Sequence, residues 1–132
     1  MNKDIGNKYE KKFVELLGQR GWWCHLFGYK PEGQPCDVVA IKGTTTGTKA
    51  MLIDVKHCQG DRFAFKNIQS NQRTCFELAF QKGVTTCGFA IFFEDTKEWR
   101  WLSYKDVLDL EKGGHKSAKI YETDFWIKEW NS

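Results

Sequence analysis

Residues 35–58 read PCDVVAIKGTTTGTKAMLIDVKHC, and this stretch decides the fold. Two apolar, β-rich runs, 36–42 and 49–56, flank a GTTTG turn, which predicts an antiparallel hairpin. Centring the hairpin on that turn sets Lys42 opposite Lys49 and Asp37 opposite Asp54. Opposed side chains share a face with Cβ atoms about 4.5–5.5 Å apart, and alternation puts Lys56 on the face of Asp54. Ile53 and Val55 then point the other way, into a core. Two carboxylates so close repel, so something must compensate: a shared proton, a basic partner such as Lys56, or a bound cation. A divalent cation would neutralise both, and it selects hard oxygen ligands of this kind. The plainer alternative is a charged surface pair at a sheet edge.

Working outward, residues 4–20 predict a helix with Ile5, Tyr9, Phe13, Leu16 and Leu17 on one face and Gly21 beyond its end. Glu10 lies beside that apolar stripe, where it either faces solvent or reaches toward the sheet. Residues 22–27 predict a strand, and 28–35 a loop by their glycines and prolines. A second helix is expected at about 67–82, closed by Gly83. Ile68, Cys75, Phe76 and Ala79 mark its apolar face, and Gln72 interrupts the middle of it. A buried amide needs a hydrogen-bond partner, so Gln72 is either a satisfied core glutamine or part of a site. Residues 85–93 and 98–103 predict a second hairpin, and Ser103 caps a short helix through the Ser-x-x-acid pattern SYKD. In the tail, Thr123 is read as the cap of one or two helical turns. The order α-β-β-β-α-β-β-α implies an α/β domain with a central mixed β-sheet of about five strands flanked by helices.

Composition bounds the function class. The 132 residues suit one domain, 1–132, and 41% hydrophobic with 15% aromatic content argues against disorder. No apolar run approaches the roughly 20 residues of a membrane span, and the charged N-terminus lacks a signal-peptide core, so a cytoplasmic protein is expected. Five cysteines without a CxxC pair fit a reducing compartment. The net charge of +3 is mild support for a polyanionic partner. Cys24-His25 and His57-Cys58 do not make a zinc site, because adjacent strand residues point to opposite faces. Trp99 and Trp101 share one strand face, where core or dimer packing is preferred to base stacking.

Taken together, KYEKKF with Glu10, PCDVV with Asp37, IDVKH with Asp54 and Lys56, and IQSNQRTCFELAFQKG with Gln72 resemble the PD-(D/E)XK nuclease superfamily. Within it, the chain is similar to the Holliday junction resolvases. FKNIQSNQ followed by GVTTCGFAIFF resembles the RecU type, and GNKYEKKFVELLGQRGWW with DVVAIKG and LIDVK resembles the archaeal type. The resemblance covers residues 6–103. This sequence departs from the pattern in having Pro35-Cys36-Asp37 for Pro-Asp, and Asp54 where glutamate is commoner.

The resemblance implies a restriction-endonuclease-like core and a metal-dependent DNA endonuclease, bacterial or acting in a phage-infected host. It implies Mg²⁺, with Mn²⁺ as a substitute, held by Asp37, Asp54, the Val55 carbonyl and Glu10. Lys56 would orient or deprotonate the attacking water or stabilise the phosphate, and Gln72 would orient Lys56 or touch the phosphate. Lys8, Lys11, Lys12, His57, Lys66, Gln69 and Arg73 are the candidate DNA contacts. Branched DNA and a second copy of the chain are the expected partners, with no membrane and no small-molecule cofactor. The rival readings are a restriction or repair nuclease acting on other DNA, a non-catalytic nucleic-acid-binding module, and a plain protein-interaction domain.

Overall fold

The computed structural model describes residues 3–28, 34, 36–84 and 86–125, with side chains from Lys8 onward. Helix α1 (Lys3–Gln19) precedes β1 (Trp23–Leu26), β2 (Val38–Thr44) and β3 (Gly47–Cys58). Next come β4 (Arg62–Ala64), a 3₁₀ turn (Phe65–Asn67) and α2 (Ser70–Gln81). The hairpin β5 (Cys87–Phe93) and β6 (Glu98–Ser103) leads into α3 (Tyr104–Lys112), β7 (Ser117–Lys119), a 3₁₀ turn (Ile120–Glu122) and β8 (Asp124–Phe125). The main sheet runs β1-β2-β3-β5-β6-β8, and β4 pairs with β7 in a separate two-stranded sheet. Only the β3–β5 pairing is parallel among the described strand pairs. The fold is therefore a mixed sheet flanked by helices, as the element order implies.

The central hairpin has the register its symmetry predicts: Val38 pairs with Ile53 and Lys42 with Lys49. Its two faces feed two cores. Val38, Ile53 and Val55 pack with Phe13 and Leu17 of α1, joined by Trp101. Val39 and Leu52 turn to the opposite side, where Phe76 of α2 and Val107 of α3 are buried. β5 lies between the cores and reads CGFAIFF, an almost unbroken apolar run, as a strand covered on both faces must. Trp99 and Trp101 pack into the α1-side core, as preferred from sequence. Ser103 caps α3 by accepting the Asp106 N–H at 3.0 Å. Past α2, Gly83 takes φ +88° and hands the Val84 N–H to the Ala79 carbonyl.

Three details differ from the sequence reading. The main sheet has six strands rather than about five, because β8 pairs with β6. Thr123 ends a turn instead of opening a helix: its N–H and hydroxyl both donate to the Ile120 carbonyl. The expected helical turns beyond Phe125 lie outside the described residues. Finally, residues 62–64 form a strand before α2, held by β7. No described helix is long and apolar enough to cross a membrane.

The β5–β6 contact sets a stability prediction. A Cβ on Gly88 would stand 2.5 Å from the Leu102 carbonyl oxygen and 2.8 Å from the Ser103 Cα. Both obstacles are backbone, so strand separation is the relief available. Gly88→Ala is expected to cost about 1–3 kcal/mol, read as a lowered urea midpoint with an unchanged slope.

Candidate active site

Asp37 precedes β2 by one residue and continues its ladder. Its N–H donates to the Ile53 carbonyl, and its own carbonyl accepts the Phe27 N–H at 2.8 Å. This anchoring turns two carboxylates toward each other. Asp54 Oδ1 accepts the Asp37 N–H at 3.1 Å, and Asp37 Oδ2 accepts the Val55 N–H at 2.8 Å. Gln34 Nε2 donates to Asp37 Oδ1 at 3.2 Å. Asp37 is 6% exposed and Asp54 fully buried. Asp54 Oδ2 has no hydrogen-bond partner among the described residues.

Lys56 projects along the same face. Its ammonium donates to Gln72 Oε1 at 2.9 Å and to the Asn67 carbonyl at 3.4 Å. The glutamine that interrupts the apolar face of α2 thus has the lysine as its partner. The same Gln72 oxygen accepts the Gln69 N–H at 3.1 Å at the start of α2, which fixes the amide. Glu10, half-buried on α1, completes the group through its interaction with Asp37.

The electrostatics follow from burial. Glu10 is pushed up to about 8, first by burial and then by the Asp37 charge, with Lys56 opposing. Asp54 is raised by burial and by Asp37, again against Lys56. Burial lowers the Lys56 ammonium, although the three carboxylates pull it upward. Three acids therefore face one ammonium.

This arrangement fits a cation. An unpartnered buried carboxylate oxygen costs about 1–3 kcal/mol or more, and a bound metal would relieve it. Among the described residues, no three His, Cys, Asp or Glu side chains form a ready-made cage. Mg²⁺ needs none, since it keeps several waters and takes one or two carboxylates. Val55 presents its N–H to Asp37, while its side chain lies in the core.

The other sequence candidates divide. Lys8, Lys11 and Lys12 are exposed on α1, and Lys66 and Gln69 are exposed near the start of α2. Arg73 is engaged elsewhere, in a two-pronged bridge to Glu111 of α3 at 3.0 and 2.8 Å. His57 turns to the α1 side, where Nε2 meets Glu94 Oε2 at 3.0 Å. Pro35 lies outside the described residues, and Cys36 is buried with its thiol pushed up to about 12. Sequence reasoning missed Gln34 and Asn67, which sit in irregular segments that carry no periodic signal.

A pH test follows. A carboxyl raised in the folded state stabilises the fold below its unfolded value, and that contribution is lost as pH climbs through the folded value. For Glu10 the window runs from 4.5 to about 8, and Asp54 acts in the same direction. Lys56 has the opposite sign, but its loss comes as pH falls through a folded value below 10.5. In EDTA the melting temperature should fall as pH rises through the Glu10 window. Mg²⁺ should restore it most at the alkaline end, because binding displaces protons. A flat, Mg²⁺-independent melting profile would contradict the charge arrangement.

The chain matches no protein-family model and no curated protein. Solved structures do resemble it. Hjc, a Holliday junction resolvase from the archaeal hyperthermophile Archaeoglobus fulgidus, superposes with a TM-score of 0.56 at 19% identity, over 76% of this chain and 74% of that one. D212, a nuclease from a fusselovirus, gives 0.57 at 14% identity, over 99% of this chain and 91% of its own. The viral alignment extends beyond the residues 6–103 that carry the sequence resemblance. At these identities the likeness is one of fold.

Proposed function

We propose that this chain, whose fold is the PD-(D/E)XK, Holliday-junction-resolvase-like one, is a divalent-metal-dependent DNA endonuclease acting on branched DNA. The observation that carries the reading is the buried, unpartnered Oδ2 of Asp54 beside Asp37, with the Lys56 ammonium held nearby by Gln72. Asp37 and Asp54 would hold Mg²⁺ or Mn²⁺, with the Val55 carbonyl and Glu10 as further ligands. When bound, such a cation acidifies water and neutralises charge developing on a phosphate.

The remaining work falls to the chain itself. Gln72 and Asn67 occupy two donors of the Lys56 ammonium, which leaves a third for a phosphate oxygen or the attacking water. Burial of the lysine makes its proton easier to surrender, so water activation and phosphate stabilisation both suit it. Lys8, Lys11, Lys12 and Lys66 would meet the sugar-phosphate backbone, giving salt-dependent binding with little sequence preference. A homodimer would let two sites make paired cuts.

The test uses labelled four-way junction, fork and linear duplex, each with Mg²⁺ or EDTA, beside Asp54→Asn. Symmetric, Mg²⁺-dependent nicks on the junction alone are expected. Cutting of linear duplex would move the substrate to the restriction or repair class. Tight binding without cutting by either version would overturn the enzyme reading in favour of a binding module.

A further inference from the structure

Glu94 stands at the end of β5, and its N–H donates to the Cys58 carbonyl at 2.8 Å, which fastens it to the end of β3. Its carboxylate gathers three donors from three segments. Oε2 accepts the Tyr9 hydroxyl of α1 at 2.8 Å and His57 Nε2 of β3 at 3.0 Å. Oε1 accepts the Lys97 ammonium from the β5–β6 turn, where Lys97 adopts φ +57°. The Tyr9 and His57 rings stack with centroids 4.4 Å apart and planes 13° from parallel. These donors hold the Glu94 carboxyl down at about 2, with Lys97 the largest contributor.

The placement of the two anchored residues matters more than the hydrogen bonds themselves. Tyr9 immediately precedes Glu10, and His57 immediately follows Lys56. One carboxylate therefore ties the turn of α1 bearing one proposed site residue to the end of the strand bearing another. Phe13 and Leu17 also seat α1 on the sheet, by apolar packing that is less directional.

We infer that Glu94 is a positioning residue, which sets Glu10 against Asp37 by clamping Tyr9 and His57 together. The inference rests on the nuclease reading of the site. It gives His57 a structural duty in place of DNA contact. Losing the clamp lets the Glu10 turn of α1 shift, so cation affinity falls before the core does.

The test measures Mn²⁺ affinity of the DNA-free protein by calorimetric titration, beside melting temperature and the Mg²⁺ dependence of cleavage. Glu94→Ala should weaken Mn²⁺ binding about 10-fold, the usual lower scale for losing a residue that orients a ligand. It should raise the Mg²⁺ needed for half-maximal cutting by a similar factor and leave the DNA KM unchanged. Glu94→Gln keeps one acceptor oxygen and should fall between Ala and wild type. Val107→Ala removes buried volume from α3, in the core on the other side of the sheet from α1, and serves as a control: its melting temperature falls while its Mn²⁺ affinity stays. Should Glu94→Ala not fold, Glu94→Gln and Tyr9→Phe carry the same comparison. Variants that bind Mn²⁺ as tightly as wild type overturn the clamp alone. A wild-type chain that binds no Mn²⁺ overturns the nuclease reading and the clamp with it.

Discussion

Asp54→Asn is expected to abolish cleavage while leaving the protein at least as stable as wild type. The carboxylate is fully buried, and one of its oxygens has no hydrogen-bond partner among the described residues. Its charge is opposed by Asp37 and only partly offset by Lys56. A residue retained for stability would not be arranged this way. Asparagine keeps an oxygen to accept the Asp37 N–H and removes the buried charge, relieving about 1–3 kcal/mol. The gain should grow as pH rises, because burial and the Asp37 charge hold the Asp54 carboxyl above the usual carboxylate range. Activity moves the other way. Losing a charged ligand removes roughly 4 kcal/mol of charge stabilisation, about a thousandfold in rate. Melting temperature and cleavage rate, measured on one preparation, check both halves. A variant that unfolds, or one that cuts normally, would contradict the role given to Asp54.

Lys56→Met separates chemistry from cation binding. Methionine keeps a flexible chain of similar length and removes the ammonium held by Gln72 and Asn67. If Lys56 acts on the water or the phosphate, cleavage should fall roughly 10²- to 10⁴-fold. Cation affinity should be retained or improved, because the one ammonium facing three carboxylates has gone. The Gln72 amide loses its partner, so a modest loss of stability accompanies the change. Mn²⁺ titration beside single-turnover cleavage resolves the two effects. Loss of cation binding together with activity would make Lys56 a structural support of the acids instead.

The hairpin was legible because two rules converge on it. A symmetric turn fixes the register, and strict alternation fixes the faces, so Asp37, Asp54 and Lys56 could be placed from their numbers alone. Gln72 was legible for a related reason: an amide on an apolar helical stripe demands a partner, and the partner is Lys56. Short strands were not legible. β4, β7 and β8 have two or three residues each, too few to show a period, and they exist because other strands receive them. The partners of two basic candidates were not legible either. Arg73 and His57 look like phosphate ligands by charge and position, yet Glu111 and Glu94, distant in sequence, reach them first. Which acid finds which base is a tertiary outcome that local spacing does not encode.

The central claim is that Asp37 and Asp54 form a divalent-cation site. Its most direct test is an anomalous difference map from a crystal soaked in Mn²⁺ at pH 8. The expected result is a peak beside the two carboxylates, which would hold the ion with Asp54 Oδ2 among its ligands. Ordered density for both aspartates with no peak beside them would contradict it.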